Sequence, residues 1–193
     1  MGVMSNSSSS THTCANEVGL CLLQQTRLPL DAPLLDLGAG ASSFIDVLLK
    51  EGYTNLIGVD TSAAALAAHA QRFTAAQNGH ILWLIDNVSR PQQLSTLGTV
   101  HLWHDRTMLR VLRYPCSVKR MAQLTRPAES WVLLSVCLPN DATSIGDMSV
   151  QPYGATQLKE FLGTNYAVQQ QCRYSEVFPN GGQQLCLYAL FYR

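Results

Sequence analysis

The chain of 193 residues has no run of five or more Lys or Arg, and its thirteen basic and thirteen acidic residues cancel. Nothing in it would neutralise a row of phosphates, so nucleic acid is not an expected partner. It lacks an apolar stretch near the roughly 18 to 20 residues that span a bilayer, and its first residues show no basic segment followed by an apolar one. No membrane association is expected, and the expected location is the cytoplasm. The six cysteines, Cys14, Cys21, Cys116, Cys137, Cys172 and Cys186, share no CxxC or CxxxH spacing. Cys137 and Cys186 lie inside apolar runs that read as buried strands, so buried free thiols are expected and a metal is not. The histidines His12, His69, His80 and His101 show no metal spacing either and read as structural or exposed.

What is present fits one compact α/β domain: 47% of residues are hydrophobic and 13% charged. Residues Met1 to Thr13 are rich in Ser, Asn and Thr and cannot bury enough surface to order themselves, so residues 1–16 are expected to be a flexible arm and 17–193 the domain. Glu17 to Arg27 reads as a short helix, ended by Pro29 and Pro33. From there one grammar repeats. Leu34 to Leu37 is a strand, Phe44 to Glu51 a helix, Leu56 to Val59 a strand, Ala63 to Ala76 an Ala-rich helix, and Ile81 to Ile85 a strand. Thr99 to Trp103 is the expected fourth strand, Cys116 to Leu124 a helix and Trp131 to Leu138 a fifth strand. The alternation implies a parallel sheet. After a polar connection from Pro139 to Pro152, a helix is expected over Ala155 to Leu162. Two alternating strands, near Ala167 to Arg173 and Gln184 to Tyr192, then form a hairpin around Pro179-Asn180-Gly181-Gly182.

Gly38 and Gly40 fall where a strand must turn into a helix, and without a Cβ they let backbone approach a ligand, with Ala39 between them. A dinucleotide fingerprint wants a third Gly where this chain has Ser43. Asp36, two residues before Gly38, instead puts a carboxylate beside the turn, which suits a ligand carrying an ammonium and a sulfonium better than a pyrophosphate. Asp60 in Gly58-Val59-Asp60-Thr61-Ser62 either hydrogen-bonds ribose hydroxyls or caps the following helix. Asp86 in Asp86-Asn87-Val88 either accepts from an adenine amino group, with backbone N–H groups meeting the ring, or is a turn residue. All three acids close consecutive strands on one rim of a parallel sheet, where open α/β sheets bind ligands.

Together, Leu35-Asp36-Leu37-Gly38-Ala39-Gly40-Ala41-Ser42, Gly58-Val59-Asp60-Thr61-Ser62 and Asp86-Asn87-Val88 resemble the cofactor motifs of class I S-adenosylmethionine (SAM)-dependent methyltransferases. More narrowly, Trp103-His104-Asp105-Arg106, with Met108-Leu109 and Val111-Leu112, resembles a group of small bacterial methyltransferases that carry a Trp-His-Asp-Arg strand end. Val150-Gln151-Pro152-Tyr153 and Phe191-Tyr192-Arg193 match further steps of that group, and the Asp-Arg pair is loosely similar to thiopurine methyltransferase-like enzymes. The resemblance implies a Rossmann-like αβα sandwich with a seven-stranded, mostly parallel sheet in the order 3-2-1-4-5-7-6, an antiparallel C-terminal hairpin, SAM as cofactor and S-adenosylhomocysteine (SAH) as product. It implies cofactor roles for Asp36, Gly38, Ala39, Gly40, Asp60, Thr61, Asp86, Asn87, Val88 and His104. Two features depart from the pattern: Arg126-Pro127-Ala128-Glu129 stands where relatives often have Lys-Pro-Gly-Gly, and no Trp, Tyr or Phe precedes Phe44.

His104, Asp105 and Arg106 are expected on the same rim as Asp36, near the reacting methyl. His104 is a candidate base, or a helix-entry residue. Asp105 could hold a cation or cap a helix. Arg106 could bind a substrate carboxylate or pair locally. Tyr153 could line the substrate pocket or simply pack, and Pro139 to Pro152 is long enough to act as a lid that selects substrate. The expected activity is methyl transfer to a small molecule or, second, to a protein side chain. The alternatives are a non-catalytic partner subunit with the same fold and a nucleotide-binding, NAD-type oxidoreductase.

Overall fold

Short apolar strands that are buried on both faces need helices above and below them, and this requirement builds the frame. A computed structural model describes residues 15–106, 108–111, 130–138, 144–145, 148–149, 153–177 and 183–193. Strands β1 (Leu34–Leu37), β2 (Leu56–Asp60), β3 (Ile81–Ile85), β4 (Leu102–Asp105) and β5 (Trp131–Cys137) pair in parallel. A small separate hairpin, β6 (Ser144–Ile145) and β7 (Met148–Ser149), precedes the long antiparallel pair β8 (Ala167–Val177) and β9 (Gln183–Tyr192). The main sheet runs β3-β2-β1-β4-β5-β9-β8, with β9 antiparallel to β5. With the small hairpin uncounted, this is the order 3-2-1-4-5-7-6 with its antiparallel end.

The helices are α1 (Ala15–Gln25), α2 (Phe44–Lys50), α3 (Ala63–Ala70), α4 (Ala75–Asn78), α5 (Met108–Val111) and α6 (Ala155–Leu162). Helix α1 forms because Ala15, Val18, Gly19, Leu22 and Leu23 repeat at helical spacing and bury one stripe. Strand alternation then divides the interior into two layers. Leu34, Leu102, Leu133 and Tyr188 face α1 and α2, in a core with Leu23, Phe44 and Leu48. Leu35, Trp103, Val132, Leu134 and Phe191 face the opposite way, with Leu109, Leu158 and Leu162. Each large side chain buried there contributes about 2 kcal/mol. Cys137 and Cys186 are buried free thiols, paired across β5 and β9 with sulfurs 4.0 Å apart.

Several boundaries move from where the sequence put them. Ala15 and Asn16 belong to α1, ahead of the expected limit at residue 17. The Ala-rich segment is two helices, because the Thr74 side chain accepts from the Gln77 N–H while Gln77 returns a contact to Thr74, a capping box that starts α4 afresh. The fourth strand is Leu102–Asp105 rather than Thr99 to Trp103, since pairing to β1 begins with Leu34 opposite Leu102. The polar connection holds β6 and β7. The helix expected over 116–124, the Arg126-Pro127-Ala128-Glu129 turn and the Pro179-Asn180-Gly181-Gly182 turn lie outside the described residues. Among the described residues no helix is long and apolar enough to cross a membrane, and no cluster of three or more His, Cys, Asp or Glu could hold a metal.

Candidate functional site

The glycine turn folds down over the end of β2. Gly38 has φ +74°, and a Cβ there would stand 3.2 Å from the Met108 side chain. The N–H groups of Gly38 and Ala39 both donate to the Val59 carbonyl, at 2.8 and 3.0 Å, and Gly40 N–H donates to Asp60 Oδ2 at 3.0 Å. A Cβ on Gly40 would lie 2.5 Å from the Ala65 Cβ, so only glycine lets the turn close on α3. The Ala39 carbonyl accepts from buried His69 at 2.6 Å, whose other ring nitrogen meets Asp46 Oδ2 at 3.0 Å. His69 thus bridges the turn to α2. Arg72 pairs with the same Asp46. The sequence treated His69 as structural. Its distinguishing signal is that it is a lone polar ring in an Ala-rich helix face, and it lies tilted against the rings of Phe73 and Trp83.

The three strand-end acids differ in how they are satisfied. Asp60 accepts once on each oxygen, from Gly40 N–H and from Ser62 N–H at 2.9 Å, and is half-buried. Ser62, not Asp60, caps α3, its hydroxyl accepting from Ala65 N–H. Asp86 is buried and accepts from the backbone N–H groups of Asn87, Leu94 and Gln92, the last shared between both oxygens at 3.1 and 3.0 Å. Burial pushes its carboxyl up, but the backbone donors of Leu94, Gln92, Asn87 and Gln93 outweigh it and hold it below the usual value. Asp86 thus organises the loop that follows β3. Asp36 is 2% exposed: its Oδ1 meets His104 Nδ1 at 2.7 Å, and its Oδ2 has no hydrogen-bond partner among the described residues.

The end of β4 departs most from expectation. His104 and Asp105 sit within the strand, so their side chains point to opposite faces. His104 is 1% exposed, held by Asp36 on one side and by the Tyr188 hydroxyl at 2.9 Å on the other, with the Phe44 ring centroid 4.1 Å away. Both of its ring nitrogens are thus occupied by protein partners. Asp105 is buried on the other face and caps α5, accepting from Met108 N–H at 2.7 Å and Leu109 N–H at 2.9 Å. Arg106 donates to Asn16 Oδ1 at 3.1 Å, and Asn16 in turn donates to the Ser43 hydroxyl at 2.7 Å. Ser43, which breaks the dinucleotide fingerprint, therefore anchors α1. Tyr153 is bonded through its N–H to the Cys137 carbonyl and packs edge-on against Phe161, and burial raises its phenol above the usual value. Val150, Gln151 and Pro152 lie outside the described residues.

A cavity of about 410 Å³ opens beyond β2 and β3, lined by Thr61, Ile85, Asp86, Asn87, Arg90 and Gln92. Ile85 is 52% exposed there, an apolar surface turned to the opening. Val88 is buried in the core beneath, and the Asn87 side chain accepts from Ser89 N–H at 2.9 Å.

No family model matches the chain. A stretch of 48 residues is 40% identical to EEF1A lysine methyltransferase 2 of Mus musculus, covering 25% of this chain and 20% of that protein. The match thus spans about a fifth of the length of its curated relatives. Among solved structures, the N-methyltransferase NodS of Bradyrhizobium japonicum, in complex with SAH, superposes with a TM-score of 0.69 at 15% identity, over 93% of this chain and 88% of that one. The 1,6-didemethyltoxoflavin-N1-methyltransferase of Burkholderia thailandensis, with bound 1,6-didemethyltoxoflavin and SAH, gives a TM-score of 0.69 at 16% identity, over 91% and 76%. Sheet order and superposition agree: the chain has the Rossmann-like, seven-stranded fold of class I SAM-dependent methyltransferases.

Proposed function

We propose that this chain binds SAM across the ends of β1, β2 and β3 and directs its methyl group to an acceptor beyond β4 and β5. The observation that carries this reading is Asp36 Oδ2, a buried carboxylate oxygen with no partner among the described residues, beside the glycine turn. A buried carboxylate oxygen left without a hydrogen bond is costly, and the ammonium of a cationic amino-acid end would offset that cost. Asp60 fits the ribose, since each of its oxygens accepts a single N–H and retains a lone pair for a hydroxyl. The cavity with exposed Ile85 has the size and apolar surface for an adenine ring, and Thr61 and Asn87 line its polar side. Asp86 serves this site by shaping residues 87–94, its oxygens being committed to backbone donors.

SAM supplies a methyl group on a sulfonium, a leaving group already activated for in-line displacement. Alignment then provides most of the acceleration. His104, Asp105 and Arg106 serve that alignment as supports of the rim: His104 holds Asp36, Asp105 starts α5, and Arg106 ties the end of β4 to α1. Tyr153 borders the acceptor side. A small molecule is the acceptor we favour. A protein side chain is the second reading, supported by the stretch that is similar to a lysine methyltransferase.

Calorimetric titration with SAM and SAH, followed by transfer of labelled methyl to a panel of thiols, amines, phenols, carboxylates and lysine-containing proteins, tests the proposal. Saturable binding of both nucleosides with transfer to one acceptor class is expected. Binding without any transfer would leave a non-catalytic subunit. Binding of NADH but not SAH would replace the reading with an oxidoreductase.

A further inference from the structure

Asp36 carries the ligand reading above, and what fixes it comes from the far end of the chain. Its Oδ1 is joined to His104 Nδ1 at 2.7 Å, and His104 Nε2 to the Tyr188 hydroxyl at 2.9 Å, linking β1, β4 and β9 through three buried side chains. A carboxylate oxygen accepts, so the His104 Nδ1 that faces Asp36 is the donor, and the Tyr188 hydroxyl, which can donate or accept, closes the other end of the ring at Nε2. Tyr188 thereby holds the ring in the orientation that presents a donor to Asp36.

Packing leaves this chain of groups one arrangement. Phe44 lies against the His104 ring at 4.1 Å and Tyr188 stacks on Tyr174 at 5.4 Å. The Tyr174 hydroxyl is itself bonded to Ser135 at 2.7 Å. Helix α1 crosses at Gly19, where a Cβ would stand 3.2 Å from the Tyr188 hydroxyl. A carboxylate held at one oxygen by a locked donor cannot rotate, so its second oxygen keeps a fixed direction.

We infer that His104 and Tyr188 are positioning residues that aim Asp36 Oδ2 at the cationic amino-acid end of the bound nucleoside, and that neither touches the acceptor. The inference rests on the SAM reading above. Its test compares SAH, which has the amino-acid end, with 5′-methylthioadenosine, which lacks it, by calorimetry on the full chain. Wild type should bind SAH more tightly than methylthioadenosine. His104→Gln, which withdraws the donor from Asp36, should shrink that preference by about tenfold through weaker SAH binding, with methylthioadenosine affinity unchanged. His104→Asn keeps an amide donor at the Nδ1 position and should restore most of the preference. Tyr188→Phe, which conserves the ring, should shrink it by about threefold and is the second variant should His104→Gln fail to fold.

Equal weakening of both nucleosides would reduce His104 and Tyr188 to packing groups and overturn the inference. So would an unchanged preference. A wild type that binds neither nucleoside would instead fail the SAM reading itself, which separates the two claims.

Discussion

The ends of β1 and β3 each carry a buried aspartate, and the two are satisfied in opposite ways. Asp86 receives three backbone N–H groups from the loop it begins, and its carboxyl is held below the usual value by them. Asp36 receives one side-chain donor on one oxygen, and among the described residues none reaches the other. A carboxylate whose lone pairs are filled by its own loop spends its charge on architecture. One left half filled in the interior is destabilising until a ligand arrives, and such groups mark functional positions. Asp60 lies between the two, with each oxygen bonded once and the residue half-buried. The rim is therefore graded, from a loop-building acid at β3 to a half-satisfied acid at β1, the one we propose meets the ligand.

Substitutions along this grade should separate stability from binding. Asp86→Ala would leave three N–H groups without their acceptor and should cost about 3 kcal/mol in denaturant unfolding, the largest stability effect on the rim. The linked pH effect has a definite sign. Because the folded carboxyl lies below its usual value, Asp86 stabilises above the unfolded value near 3.8 and that contribution is lost as pH falls through the folded value. Asp86→Asn should therefore flatten the acid limb of the stability curve, and an unaltered limb would break the contrast with Asp36. Asp60→Ala should divide its effect, weakening SAH binding by about 2 kcal/mol while costing about 1 kcal/mol of stability through the released Gly40 and Ser62 donors. Gly38→Ala places a side chain at φ +74° and against Met108, and should lower stability by about 1–2 kcal/mol in thermal melts. Arg106→Ala should be mildest, near 0.5 kcal/mol, because it removes one partly exposed hydrogen bond to Asn16. A large loss there would mean that the β4 end, and not β1, holds the critical group.

The alternation of strands and helices and the glycine turn were legible because each rests on local pattern, apolar runs of strand length and Gly38 and Gly40 at a strand end, whereas the strand order came from the resemblance of the cofactor motifs to class I SAM-dependent methyltransferases. What pattern could not give was the partner of each polar group. Placing the fourth strand three residues early at its start and two at its end left His104 and Asp105 outside it, as rim residues. Once Leu102 pairs with Leu34, period-two alternation sends them to opposite layers and into the interior. Tyr188 escaped notice inside an apolar strand, although a phenol among Leu187, Ala189 and Leu190 demands a buried partner. Its partner lies 84 residues away in sequence, a separation no local spacing encodes. The link from Arg106 to Asn16 was hidden for the same reason, since 90 residues intervene.

The most direct measurement titrates SAH into wild type and Asp36→Asn under identical conditions and records the unfolding free energy of both. The account predicts saturable binding to wild type and affinity at least tenfold weaker in Asp36→Asn. It also predicts unfolding stability within about 1 kcal/mol of wild type or above it, because the variant removes a buried charge. Unchanged affinity, or a loss of stability as large as that of Asp86→Ala, would contradict it.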